Sequence, residues 1–211
     1  MTPTHEPGSP ADQDASRARA LSLLGEVFSS KVRASLLAWI VPRLDTRFSL
    51  TELSRELGMP ISSLQHECYK LERLGVLKGR REGASRRYRM HLDHHLSRPL
   101  IGLVIATLGL DRVLRDAIAD CGRVDVSVIA GPEPGSGSDR LVLAVIGEAG
   151  LEGLDRAQQR VALALGIDPD RLELAYFQRD DWARDGAAGH PLVRRLTRRP
   201  IQPISGTWPP G

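Results

Sequence analysis

Six hydrogen-bonding side chains gather on one helical face in the stretch after Pro60: Ser62, Ser63, Gln65, His66, Tyr69 and Lys70. The opposite face carries Leu64, Cys68, Leu71 and Leu74. Directly downstream, six of the twelve residues from Lys78 to Arg89 are basic (Lys78, Arg80, Arg81, Arg86, Arg87 and Arg89) against one Glu. The two groups do different chemistry. Hydroxyl, amide, imidazole and phenol groups match the donor and acceptor edges that base pairs show in the major groove, and a helix is narrow enough to carry them there. Closely spaced cations neutralise phosphates without reading sequence. Together they suit double-stranded DNA. The bland alternative is an amphipathic helical hairpin with solvated arginines, and a basic hairpin following at once on a polar-faced helix disfavours it.

These side chains need a frame, and the local sequence supplies one. Ser49 with Glu52 three residues on makes a capping box, so a helix starts at Leu50. Leu50, Leu53 and Leu57 share one of its faces, and Gly58 stops it. A second helix begins near Pro60 or Ile61 and ends at Gly75. Val76, Leu77 and Lys78 lead into a strand, Glu82-Gly83-Ala84-Ser85 makes a turn, and Arg86–Met90 returns.

The stretch Phe48–Met90 resembles the winged helix-turn-helix domain of bacterial repressors of the ArsR and MarR type. The match is carried by Glu52-Leu53, Glu56-Leu57-Gly58, Leu71-Glu72-Arg73-Leu74-Gly75-Val76-Leu77 and the wing arginines. Pro60 departs from the pattern, since such proteins often place a Ser or Thr cap there. The resemblance implies a transcriptional regulator whose second helix enters the major groove while the wing holds the backbone or minor groove.

Charge is unevenly divided along the 211 residues, although the formal total is only +3. Residues 17–102 hold sixteen basic and eight acidic side chains, and residues 103–190 hold nine and fifteen. A nucleic-acid surface therefore belongs to the first half. Two cysteines, Cys68 and Cys121, make no disulfide framework. Cys68 lies on an apolar face and reads as a buried thiol, whereas Cys121, before Gly122 at a helix end, is open to a reactive role. No secretory or membrane-spanning segment stands out, and the expected localisation is cytoplasmic and nucleoid-associated.

Leu21, Leu24, Val27, Phe28, Val32, Leu36, Leu37, Ile40 and Val41 mark helices ahead of the reading stretch, with Ser29 or Ser30 as a cap between them. After the wing, His91, Asp93, His94 and His95 include ligand types that suit zinc or nickel. They sit in one short stretch with no second ligand segment, so a polar linker is the reading preferred. Pro99–Leu110 is too apolar for a solvent-facing helix and calls for cover by another domain or a second subunit.

From Arg123 the period changes to that of strands. Val124–Ala130 alternates, Gly131–Asp139 is a Gly- and Pro-rich loop, and Leu141–Gly147 is a second strand. Leu151–Leu165 is an amphipathic helix, Arg171–Gln178 a third strand, Pro191–Arg198 a short helix, and Ile201–Ile204 an edge strand. Arg194, Arg195, Arg198 and Arg199 straddle the end of that short helix, where cations suit its dipole. This half resembles the minimal nucleotidyltransferase domain carried by some winged-helix regulators, in which a strand ends in Gly-Ser and the next opens Ser-Asp-x-Asp. Here Pro132 replaces the serine. Ser138-Asp139-Arg140-Leu141 keeps one carboxylate and has Leu141 where the second belongs, and an apolar side chain cannot ligate Mg²⁺. Glu173 is a weak substitute, lying opposite Leu172 and Leu174. The resemblance thus implies a degenerate domain, with no catalytic residue, no metal and no cofactor.

The expected fold class is α+β: a winged helix-turn-helix domain, a helical linker and a small α/β nucleotidyltransferase-like domain. The expected bounds are a disordered tail at 1–16, the DNA-binding domain at 17–95, a linker and dimerisation helix at 96–121, the α/β domain at 122–205 and a tail at 206–211. The expected function is sequence-specific DNA binding by a homodimer, with an unknown small-molecule or protein effector possible and no membrane partner. Two alternatives come from other classes: a nucleotidyltransferase positioned by its winged helix, and a winged-helix module that binds protein.

Overall fold

The computed structural model describes residues 10–135, 137–182 and 190–208. They form a mixed α+β chain in two compact units. The first runs to Gly109 apart from Pro42–Asp45, which group with the second, Leu110–Gly211. The division falls inside the linker stretch 96–121, which the sequence reads as one long helix or as two broken near Gly109. Gly109 takes φ +89° there, so the helix before it ends and a new one begins.

In the first unit α1 spans Pro10–Phe28 and α2 spans Lys31–Ile40. The expected tail at 1–16 is therefore too long. Pro10 suits a first helical turn and Asp12 complements the dipole, so residues 10–16 are helical; residues 1–9 lie outside the described chain. Ser30 caps α2, its hydroxyl accepting from the Arg33 amide at 3.1 Å. A two-residue strand, β1 (Phe48–Ser49), leads into α3 (Leu50–Leu57) through the full capping box, and Gly58 closes that helix at φ +63°. α4 runs from Ile61 to Arg73. Pro60 occupies its N-cap without a side-chain hydrogen bond, which settles where the helix begins. At its other end the Val76 and Gly75 amides donate back to Leu71 and Glu72, each at 2.9 Å, a Schellman closure with Gly75 left-handed at φ +77°.

β2 (Leu77–Glu82) and β3 (Ser85–Met90) form the hairpin, and β1 adds to β3 for a sheet ordered β1-β3-β2. Phe48, Leu53, Leu64, Cys68, Leu77 and Tyr88 are buried beneath it, with Phe48 stacked on Tyr88 and edge-on to Trp39. Leu74, which the sequence places on the buried side of α4, is instead 51% exposed. It follows the last helical residue as the C-cap, so the helical period no longer fixes its direction. α5 (Ser97–Leu108) packs on α1 and completes the unit.

The second unit begins with α6 (Leu110–Ile118) and continues with β4 (Gly122–Ala130), β5 (Leu141–Ala149), α7 (Leu151–Leu165), β6 (Leu172–Gln178), α8 (Pro191–Thr197) and β7 (Ile201–Ser205). The sheet order is β6-β5-β4-β7; β5 and β6 are parallel through the α7 crossover, and the other pairs are antiparallel. The expected half-buried alternation of β4 does not hold, because Val126 to Ala130 are all buried. Val126, Val128 and Ala130 face a cluster with Trp182, Val193 and Leu196, while Ile129 belongs to the opposite face. Ser127 is tolerated in this interior because its hydroxyl pairs with that of Ser205 at 2.6 Å.

Arg160 of α7 is buried, and its guanidinium holds Asp45 at 2.7 Å and Asp120 at 2.9 Å. Arg199 is also buried rather than a solvent-facing cation at a helix end, and it donates to the Gly131 and Arg140 carbonyls at 3.2 and 3.3 Å, clasping both ends of the loop 131–140. Within that loop Ser136, and in the expected C-terminal tail residues 209–211, lie outside the described chain.

Candidate nucleic-acid interface

α4 presents its polar face as read from the sequence. Ser62, Gln65 and His66 are exposed, Ser63 and Lys70 are half-buried, and Tyr69 is 60% exposed. Arg73 continues this stripe one turn beyond Tyr69 and is exposed; its i+4 spacing from Tyr69 is the sequence signal that would have placed it with the others.

Lys70 is less available than its neighbours. Glu67, on the apolar side of the helix, is buried, and its carboxylate holds Lys70 at 3.5 Å and Arg33 at 2.8 Å. Burial pushes the Glu67 carboxyl up, but the Arg33 hydrogen bond and the charges of Arg33 and Lys70 outweigh it, leaving it below the ordinary glutamate value. Glu52 is lowered too, chiefly by the Ser49 backbone hydrogen bond. The sign follows from linkage: a carboxyl lowered on folding contributes stability above its unfolded pKa and loses that contribution as pH falls through the folded one. Urea titrations from pH 7 downward are expected to show the midpoint falling through the acid range. The fall should be shallower in Glu67→Gln, which starts from lower stability.

In the hairpin, register decides the faces. Lys78 lies opposite Arg89, Arg80 opposite Arg87, and Arg81 opposite Arg86. Alternation puts Lys78, Arg80, Arg87 and Arg89 on one face, while Leu77, Tyr88 and Met90 point to the core. Like charges directly across a ladder are unfavourable, and carboxylates from elsewhere relieve part of the strain. Glu72 of α4 accepts from Arg86 at 2.6 Å and from the Gly79 amide at 3.1 Å. A Cβ at position 79 would meet that carboxylate at 2.5 Å, so a side chain there would displace the flexible end of Glu72 from its place over the strand. Glu52 holds Arg87 at 3.1 Å, and Glu82 holds Arg47 at 2.7 Å.

Of the six basic residues singled out from the sequence, Arg86 and Arg87 are thus tied to carboxylates. Lys78, Arg80, Arg81 and Arg89 are exposed with no ion pair among the described residues. A concavity of about 480 Å³ lies along the hairpin, with Arg47, Lys78, Arg80, Arg87 and Arg89 among its lining. Arg47, absent from the sequence reading, joins the site through β1.

The histidines pack against the end of α4 and against one another. His91 bonds the Gly75 carbonyl at 3.0 Å, His94 packs over Gly75, and the His94 and His95 rings lie 4.2 Å apart. Among the described residues no group of three or more His, Cys, Asp or Glu is placed to hold an ion. Both thiols are buried; burial pushes Cys68 up to about 12 and raises Cys121 as well. The reactive role left open for Cys121 therefore loses its basis, since a buried neutral thiol is a poor nucleophile. Asp139 is held by Arg171 at 2.5 Å, and Glu173 by Arg140 at 3.4 Å. Among the described residues no helix is long and apolar enough to cross a membrane.

No family model and no curated protein matches this chain. Among solved structures, reduced HlyU from Vibrio cholerae N16961 is similar over 46% of this chain and 93% of its own, at 22% identity and a TM-score of 0.31. A likeness of that size defines no family, and the functional reading rests on the residues.

Proposed function

We propose that the chain is a winged helix-turn-helix DNA-binding transcriptional regulator, with α4 in the major groove and the β2–β3 hairpin on the backbone or in the minor groove. One observation carries this: the exposed stripe Ser62, Gln65, His66 and Tyr69 stands in the same compact unit as Lys78, Arg80 and Arg89, which share the outward face of the hairpin, are exposed and form no ion pair among the described residues. The first can discriminate bases and the second supplies sequence-independent affinity. The protein acts as a homodimer in this reading. Leu23 and Val27 on α1 and Leu103 on α5 are 54%, 52% and 39% exposed, and Pro99, Gly102 and Ala106 extend the apolar stripe of α5.

The second unit serves dimer formation or effector contact and not catalysis. Its two acids nearest the degenerate motif are paired with arginines, and Leu141 opens β5 where a metal-binding carboxylate would be needed.

Fluorescence anisotropy with a duplex from upstream of the protein's own gene, against a scrambled duplex across a salt series, tests the proposal. Binding about tenfold tighter to the first, with a steep salt slope, is expected. Absence of binding to both at low salt would remove it.

A further inference from the structure

The cations of the hairpin are not where a groove-inserting tip would need them. The minor groove is only about 6 Å wide, and its pull on protein is exerted on Arg, Lys or His side chains carried into it. The turn here is Glu82-Gly83-Ala84-Ser85, with one carboxylate and no cation. That carboxylate is itself engaged, with Arg47 at 2.7 Å and Arg87 at 3.8 Å, which ties the tip back to the chain beside β1. Every cation lies on the shanks. Those on the outward face stand in two rungs beside the concavity that Arg47 also lines: Lys78 opposite Arg89, both without an ion pair among the described residues, and Arg80, likewise unpaired, opposite Arg87, which Glu52 and Glu82 hold. Successive rungs on one face are two residues apart, roughly 6.6 Å along a strand. A ladder of that kind meets consecutive phosphates of one nucleic-acid strand.

We infer that the hairpin lies flat along one strand of phosphates, outward face down, and does not thread its tip into the minor groove. This rests on the DNA reading above. Arg81, next to the turn but on the other face, is then not part of the contact and serves as the internal control.

Chemical interference on the full-length protein tests it, using the duplex that binds in the anisotropy experiment. One set of duplexes carries ethylated phosphates, and a second carries adenines methylated at N3 in the minor groove. Ethylation at consecutive phosphates beside the helix site is expected to weaken binding about fivefold per phosphate. N3 methylation over the same base pairs should leave it unchanged. The Arg80→Ala/Arg89→Ala protein should lose the ethylation pattern, and Arg81→Ala should keep it; thermal melts confirm that both variants fold. Interference by N3 methylation, or loss of the pattern in Arg81→Ala, overturns the inference while leaving DNA binding intact. Failure to bind any duplex instead overturns the DNA reading itself, and the inference with it.

Discussion

Exchanging both Arg80 and Arg89 for glutamate is expected to raise the melting temperature of the protein and, on the proposed DNA reading, to remove binding to a duplex. The two effects have one cause. In the native hairpin Arg80 faces Arg87 and Lys78 faces Arg89, so two rungs of the ladder set like charges against each other. A carboxylate at each exchanged position would convert both rungs to opposite-charge pairs, each worth roughly 0.2–1 kcal/mol across a strand pair. Against a duplex, two cation–phosphate contacts become two repulsions. At about 1 kcal/mol per contact in water the change comes to about 4 kcal/mol, roughly a thousandfold in affinity, and the salt slope flattens by about two. Melting scans and anisotropy on the same samples check both halves. Unchanged DNA affinity would mean that this face is not the contact, and a lower melting temperature would mean that the rungs are not under repulsion.

Arg160→Ala is expected to cost about 3–5 kcal/mol in urea unfolding, far more than any exchange in the exposed hairpin. Its side chain is 6% exposed and anchors Asp45, itself 16% exposed, together with the more open Asp120. Burial opposes the charge on Arg160, and the hydrogen bonds it donates to both carboxylates more than offset this, so its pKa is raised. Truncation takes the guanidinium from a carboxylate that stays in place, which is the costly way to break such a pair. The combination Arg160→Met with Asp45→Leu removes both charges and should recover much of the loss, whereas Asp120→Ala alone should cost about 1 kcal/mol, since that carboxylate is half in water. If the double variant is no more stable than Arg160→Ala, the loss comes from packing and not from a stranded charge.

Most element boundaries are local chemistry, and they can be read without the fold. Ser49 and Glu52 satisfy each other within three residues, Gly58 and Gly75 take left-handed conformations wherever the chain is placed, and the apolar period of Leu151–Leu165 marks α7 to the residue. The polar face of α4 and the charge density of the hairpin are legible for the same reason: period and composition are properties of consecutive residues. The β4 alternation misleads because a strand covered on both faces is buried at every position, and what covers it lies as far away as Val193 and Leu196.

What tertiary structure alone decides is which charges remain available. Arg86 is neutralised by a carboxylate fourteen residues upstream and Arg87 by one thirty-five residues upstream. Glu67, an ordinary acid in the sequence, is buried against an arginine thirty-four residues away and draws Lys70 toward it. A run of arginines announces a polyanion surface through composition, because charge is carried by each residue alone. Whether a given guanidinium stays open to solvent or meets an internal carboxylate depends on partners that only folding brings within hydrogen-bond reach, and that selection leaves Lys78, Arg80 and Arg89 open on the outward face of the hairpin.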